Sequence, residues 1–149
     1  MKDEAEPPRS EVAAISLRLR HAEARNLGEM LRQWGHEPGH AWQAGEPCRA
    51  PNGRPLPGTN RDSYAYARLT LPPSGSLSAT LRHILATLGP IQTELAAFVH
   101  EGGRAELFTA WHFNANSGDT LDWTLMQRLA EYRLNLALDI YPAQEGTVE

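Results

Sequence analysis

The chain has 149 residues, of which 41% are hydrophobic and 21% charged, and its formal net charge is -4. This length fits one domain, and it is enough to bury roughly 70% of the surface that the unfolded chain exposes. The composition excludes collagen-like, coiled-coil and strongly disordered chains, because each of these needs a marked compositional bias.

Most of the negative charge lies at the two ends of the chain. Residues 1–10 contain two basic and three acidic residues, and residues 143–149 contain two acidic ones, which leaves -1 for the body. We expect these ends to be disordered tails on either side of a single domain at residues 11–142. A near-neutral body lacks the basic surface that non-specific nucleic-acid binding requires, so we expect no nucleic-acid partner.

The single cysteine, Cys48, cannot form an intramolecular disulfide. The N-terminal residues Met1–Glu4 lack the apolar run of a signal peptide, and no stretch approaches the roughly 20 apolar residues of a membrane span. These features favour a cytoplasmic location and no membrane partner.

The first half of the body contains a predicted strand and a predicted helix. Apolar and polar residues alternate strictly over Val12–Arg20, which is typical of a half-buried strand. Helical spacing follows at Leu27, Met30, Leu31 and Trp34. Gly35 and Pro38 end this helix, and a short strand is predicted near Ala41–Ala44.

The segment at residues 46–62 is rich in proline and glycine. It contains Pro47, Pro51, Gly53, Pro55, Pro57 and Gly58. Neither a helix nor a central strand tolerates this density, so the segment is predicted to be a long loop. Such loops are either functional lids or disordered, and disorder is the favoured interpretation here.

The second half alternates strands with helices. Strands are predicted at Ser63–Leu71, Arg104–Phe113 and Leu134–Tyr141. Between the first two of these strands lie two linked amphipathic helices, separated by Gly89-Pro90. Between the last two lies one helix, for which Asp119 or Thr120 is the predicted cap. The predicted core side of the last strand consists of Leu136, Leu138 and Ile140.

This order of elements predicts an α+β fold. We expect a single, mainly antiparallel sheet with helices on one face, arranged as a ferredoxin-like βαββαβ core extended by a helix and a strand.

No motif of catalysis or cofactor binding is present. His36 and His40 have the spacing of a helical zinc pair, but Pro38 and Gly39 between them oppose a helix, and we expect no metal site. Cys48 lies in the proline-rich segment without an evident base, so an inert thiol is the favoured interpretation. Ser63 and the other serines lack a nucleophile motif, and no phosphate loop or dinucleotide fingerprint occurs, so no cofactor is expected.

One set of residues shares a face by strand parity. If the leucines of the strands face the helices, the opposite sheet face carries Arg18, Arg20, Tyr64, Tyr66, Arg68, His112, Asp139 and Tyr141. Arginine and aromatic residues are over-represented at binding hot spots. The alternative is a solvated face on which cross-strand pairs only support the sheet.

Three segments resemble a bacterial family catalogued as domain of unknown function 4279. They are Leu27–Pro47, with Gly35-His36-Glu37-Pro38 followed by Trp42 and Gly45; Leu81–Glu106; and Leu121–Tyr141, ending in Asp139-Ile140-Tyr141. The resemblance implies no particular activity.

The sequence therefore favours a non-catalytic module that binds a protein partner or a second copy of itself. Small bacterial α+β domains of this general kind include regulatory and toxin-neutralising proteins, which is an analogy of fold only. The alternative is an enzyme or small-ligand-binding protein whose site residues are dispersed over the open sheet face.

Overall fold

A computed structural model describes residues 10–73, 75–113 and 118–142 of the chain. The strands in this part are β1 (Ser10–His21), β2 (Ala41–Trp42), β3 (Pro47–Arg49), β4 (Pro55–Thr59), β5 (Ser63–Arg68), β6 (Arg104–Phe113) and β7 (Leu134–Pro142). The helices are α1 (Leu27–Gln33), α2 (Leu77–Thr87), α3 (Gln92–His100) and α4 (Trp123–Glu131), with a single 3₁₀ turn at Gly89–Ile91 between α2 and α3.

Five of the strands form one sheet in the order β2-β5-β1-β6-β7. The three pairs that involve β1 or β5 are antiparallel, whereas β6 and β7 are parallel and are joined through α4. The predicted α+β fold with a mainly antiparallel sheet is confirmed. A second, two-stranded antiparallel sheet consists of β3 and β4.

The core lies between one face of the large sheet and the helices. The alternation in β1 places Ile15, Leu17 and Leu19 on this face with no exposed surface. The apolar stripes of the helices cover this face of the sheet. Their fully buried residues are Leu31, Leu81, Ile84, Leu85, Leu88, Leu95 and Leu125. The two amphipathic patterns therefore meet in one hydrophobic cluster, as the sequence predicts.

The connection through α1 differs from the ferredoxin-like expectation. In a ferredoxin-like unit the first helix joins parallel strands, whereas here β1 and β5, on either side of α1, are antiparallel neighbours. The helix has seven residues and spans about 10 Å, too little to carry the chain back along the sheet. The chain consequently re-enters at the end where it left, and His21 pairs with Ser63.

The segment at residues 46–62 is ordered, so the expectation of a disordered loop is wrong. Its strands β3 and β4 form a hairpin that we call the flap (Pro47–Thr59). The base of the flap is closed by hydrogen bonds from Gly45 N to Asn60 O (2.9 Å) and from Asn60 N to Glu46 O (2.8 Å). Its tip is closed by Ala50 N donating to Arg54 O (2.8 Å). Backbone bonds at both ends thus order a segment whose side chains are mostly exposed.

The residue that caps α4 differs from the predicted one. Asp122, and neither Asp119 nor Thr120, caps the helix through a bond from Leu125 N to Asp122 Oδ1 (2.9 Å). Asp119 instead accepts from Ser78 N (2.7 Å) at the start of α2. Asp119 therefore ties two helices together.

The predicted tails at residues 1–10 and 143–149 lie outside the described residues, except Ser10, where β1 begins. Among the described residues, no helix has the length and apolar character needed to cross a membrane.

Candidate binding site on the open sheet face

The sheet face opposite the helices, which we call the open face, carries all eight residues predicted to share it. Cross-strand pairs align Arg18 with Tyr66, Arg20 with Tyr64, and His112 with Tyr141. Because paired residues of neighbouring strands point to the same side, the parity derived from the sequence is correct. The side chains nevertheless form two separate groups.

The first group begins with a three-layer stack at the β2 edge. The ring of Trp42 stacks on Tyr64 with centroids 4.5 Å apart, and the guanidinium carbon of Arg20 lies 4.5 Å from the centroid of the same tyrosine ring. Tyr64 is only 6% exposed as a result. Burial raises the pKa of Tyr64, against an opposing effect of Arg18 and Arg20. Tyr64 is therefore a support for its neighbours and offers little surface of its own.

The next row of the open face contains Arg18 and Tyr66. Arg18 lies over Phe108 of β6, 3.6 Å from its guanidinium carbon to the ring centroid. Tyr66 packs on Gly39, where a Cβ would come within 2.4 Å of the tyrosine ring. The ring of His40 also lies near Tyr66, with a distance of 6.2 Å between the ring centroids. Arg68, one row further along β5, is exposed and pairs in register with Ser16.

The second group lies at the far end of β6 and β7. His112 stacks on Tyr141 with ring centroids 4.8 Å apart, and the Tyr141 hydroxyl donates to Asp139 Oδ2 (2.6 Å). This hydrogen bond to a carboxylate raises the pKa of Tyr141. His112 is eight residues beyond Arg104, the partner of Arg20, so roughly 25 Å along the strand separates His112 from Arg20.

A cleft of about 650 Å³ lies between the flap and the first group. Its floor is formed by side chains of β1, β2 and β5, and its roof by the flap. The residues that line it include Arg20, His40, Trp42, Tyr64 and Tyr66 from the floor, and Pro47, Arg49 and Pro51 from the flap. Ligand sites commonly have volumes of about 300–1,000 Å³, so the cleft has the size of a small-molecule or side-chain pocket.

The base of the flap is held next to the sheet by Ser63, which is fully buried at the start of β5. Its Oγ donates to Glu23 O (2.7 Å) and accepts from Arg25 N (2.9 Å) and Ala44 N (3.0 Å). One hydroxyl thus joins the end of β1 to the chain that leads into the flap.

The charges around the cleft are mainly positive. Arg20 lines the cleft from the sheet and Arg49 lines it from the flap. Among the described lining residues Glu46 carries the one carboxylate, and its Oε1 accepts from Gln43 N (2.9 Å). Asp62 lies outside the cleft, 3.9 Å from Arg20 and 3.6 Å from Arg104.

Sequence reasoning missed three residues of this site: His40, Trp42 and Arg49. The sequence presents His40 only as a metal-ligand candidate, and it predicts disorder for the flap. The position of Trp42 was readable from parity, since a strand at 41–42 alternates like any other, but its pairing with Tyr64 is a tertiary contact. Nothing in the flap's composition indicated that it folds over the open face.

Among the described residues no group of three His, Cys, Asp or Glu side chains could hold a metal ion. Cys48 is half-buried in β3, and His36 lies outside the cleft, where burial lowers its pKa. The cleft presents aromatic surface and arginine side chains, both of which are common in ligand recognition.

These features define an α+β protein with a ligand-sized cleft over an aromatic and arginine-rich sheet face. Residues 11–143 match the family described as a domain of unknown function (DUF4279), and the chain belongs to that family. Comparison with curated proteins and with solved structures gives no match.

Proposed function

We propose that this protein is a non-catalytic binding module that uses its open face to engage a protein partner or a second copy of itself. The observation that carries the proposal is the set of arginine and aromatic side chains on the open face, several of which are exposed. Arg68, His112 and Tyr141 are exposed, and Arg18 and Tyr66 are half-buried.

The physical reason lies in the type and support of these side chains. Tyrosine buries a large area at small entropic cost, and both arginine and tyrosine are enriched among the residues that dominate the energy of protein interfaces. Phe108 already restricts the Arg18 side chain in the free protein. Binding a partner therefore costs less side-chain conformational entropy at Arg18. A module of this kind regulates or neutralises its partner when it covers the partner's active surface.

Site-specific cross-linking tests this function. A photo-reactive phenylalanine analogue replaces Arg68 on the open face or, as the control, Arg32, an exposed residue of α1. We expect a defined adduct from position 68 and none from position 32. The captured protein is then purified, and its affinity for the Arg18→Ala and Arg68→Ala double variant is measured, with a loss of a few kcal/mol expected.

Self-association is measured in parallel by sedimentation of the same variants. If positions 68 and 32 give the same adducts, or if the double variant binds and sediments as the unmodified protein does, the open face is a solvated surface and the proposal fails.

A second candidate is a small-ligand-binding protein, and the cleft under the flap favours it. An enzyme with dispersed residues would have its nearest acid-base candidates in His112, Asp139 and Tyr141. His112 and Tyr141 are exposed, so that group lacks the shielding from water on which electrostatic catalysis depends.

A further inference from the structure

We infer that the cleft under the flap binds a small anion that carries a planar ring, such as a nucleoside phosphate or an aromatic carboxylate. This inference goes beyond the proposed protein-binding function, because it assigns a separate ligand to the cleft at one end of the open face. It follows from the shape of the cleft walls, from the charge of the residues that line them, and from the hydrogen bonds and ion pairs that these residues already make within the protein.

The walls are suited to a flat ring. Trp42, Tyr66 and His40 present aromatic surface from the floor, and Pro47 and Pro51 present apolar surface from the flap. Tyr64 and Arg20 stack in order beneath Trp42, which fixes the orientation of the indole. A planar ring that enters this space gains stacking and apolar contact on two sides.

The charge of the cleft selects an anion. Arg49 uses one of its five N–H groups to donate to Gly53 O (3.3 Å), so the flap holds its guanidinium at the roof. Arg20 lines the floor and forms an ion pair with Asp62 at 3.9 Å, a distance too long for a hydrogen bond. Among the described lining residues, the only carboxylate is that of Glu46, which accepts from Gln43 N. Two cations facing one cavity fit a phosphate or carboxylate group.

The volume limits the size of the ligand. A cleft of about 650 Å³ accommodates one ring and its charged substituent, whereas a folded domain can contribute at most a protruding side chain. The free ligand is therefore a metabolite-sized molecule.

Titration of the ¹⁵N-labelled full chain, followed by NMR, tests the inference with four probes. Adenosine monophosphate and indole-3-acetate combine a ring with an anion, whereas adenosine has the ring alone and ribose 5-phosphate has the anion alone. We expect the two combined probes to shift amide resonances of β3 and β5 and the indole N–H of Trp42, and to bind at least about tenfold more tightly than either partial probe. The tighter of the two combined probes identifies phosphate or carboxylate as the preferred group.

Variants of the flap give a matched comparison. Arg49→Gln removes the charge but keeps an N–H donor for Gly53 O, and we expect it to weaken binding about tenfold or more. Arg54→Gln makes the same change on the same flap, at an exposed residue outside the cleft, and leaves binding unchanged.

Three results would overturn the inference: no binding of either combined probe at about 10 mM, equal affinity for the combined and partial probes, or equal effects of the two variants. The cross-linking result at Arg68, which lies outside the cleft, is independent of these outcomes. A failed titration with a specific adduct at Arg68 rejects the cleft ligand alone, and failure of both rejects the open face as a binding surface.

Discussion

At the scale of single residues, the site depends on polar groups that fix the chain around it. No sequence motif marks Ser63, yet its hydroxyl makes three hydrogen bonds to backbone groups from two separate segments. Gly39 also has a structural role, because the close approach of the Tyr66 ring leaves no room for a side chain at this position. These residues stabilise the site without contacting a ligand.

Replacement of Ser63 by alanine measures this support. It leaves the backbone N–H groups of Arg25 and Ala44 without their acceptor, and we expect the free energy of unfolding to fall by about 2–3 kcal/mol. Urea denaturation provides the measurement. Thr70→Ala, at an exposed position just after β5, is the control and should change stability by less than about 0.5 kcal/mol. Equal effects of the two substitutions would show that the Ser63 bonds contribute nothing.

At the scale of elements, the flap is separable from the core. No residue of the flap belongs to the hydrophobic cluster, and every residue of β4 is exposed. What orders the flap is the bonding at its base and tip. It therefore stands over the cleft as an independent unit, and its loss should affect binding more than folding.

Shortening the flap tests this separation. Replacing Pro47–Thr59 by Asn-Gly joins Glu46 to Asn60 through a two-residue turn, which keeps the bond from Asn60 N to Glu46 O. We expect the free energy of unfolding to change by less than about 1 kcal/mol, because no apolar core surface is lost and loop closure becomes easier. Binding of the ring-bearing anions should be lost. A chain that no longer unfolds cooperatively would instead place the flap within the folding unit.

At the scale of the whole molecule, the core is sealed over the centre of the sheet and open at its β7 edge. Leu107 of β6 is fully buried, whereas Leu138 and Ile140 of β7 are 41% and 47% exposed. All three have the parity of the helix-covered face, since Leu138 pairs with Thr109 and Ile140 with Trp111. The predicted core side of β7 is therefore correct in direction, but the helices do not cover its far half.

Two matched substitutions distinguish the sealed region from the open one. Leu107→Asp places a carboxylate where no water reaches it, and we expect no soluble folded protein. Leu138→Asp makes the same change on the same face, and should cost less than about 1 kcal/mol because the new carboxylate remains hydrated. Soluble yield, circular dichroism and urea denaturation give the comparison. A folded Leu107→Asp variant would contradict the assigned core.

The sequence determined the local patterns of this protein. Alternation in β1, β5 and β6 assigns each residue to a sheet face, and helical spacing assigns Leu81, Leu95 and Leu125 to the core, because both periods are properties of the backbone itself. The composition of the open face follows from the same alternation, and so do its eight predicted residues.

Only the tertiary structure decided which of these residues meet. Strand order puts Arg20 beside Tyr64 and leaves His112 at the other end of the sheet, although the three share one parity. The flap closes over the open face through bonds between Gly45 and Asn60, and Ser63 joins it to β1. These contacts link segments that are distant along the chain, and no periodicity within a segment encodes its neighbour. Residue faces are therefore local information, whereas the cleft is a product of the assembled fold.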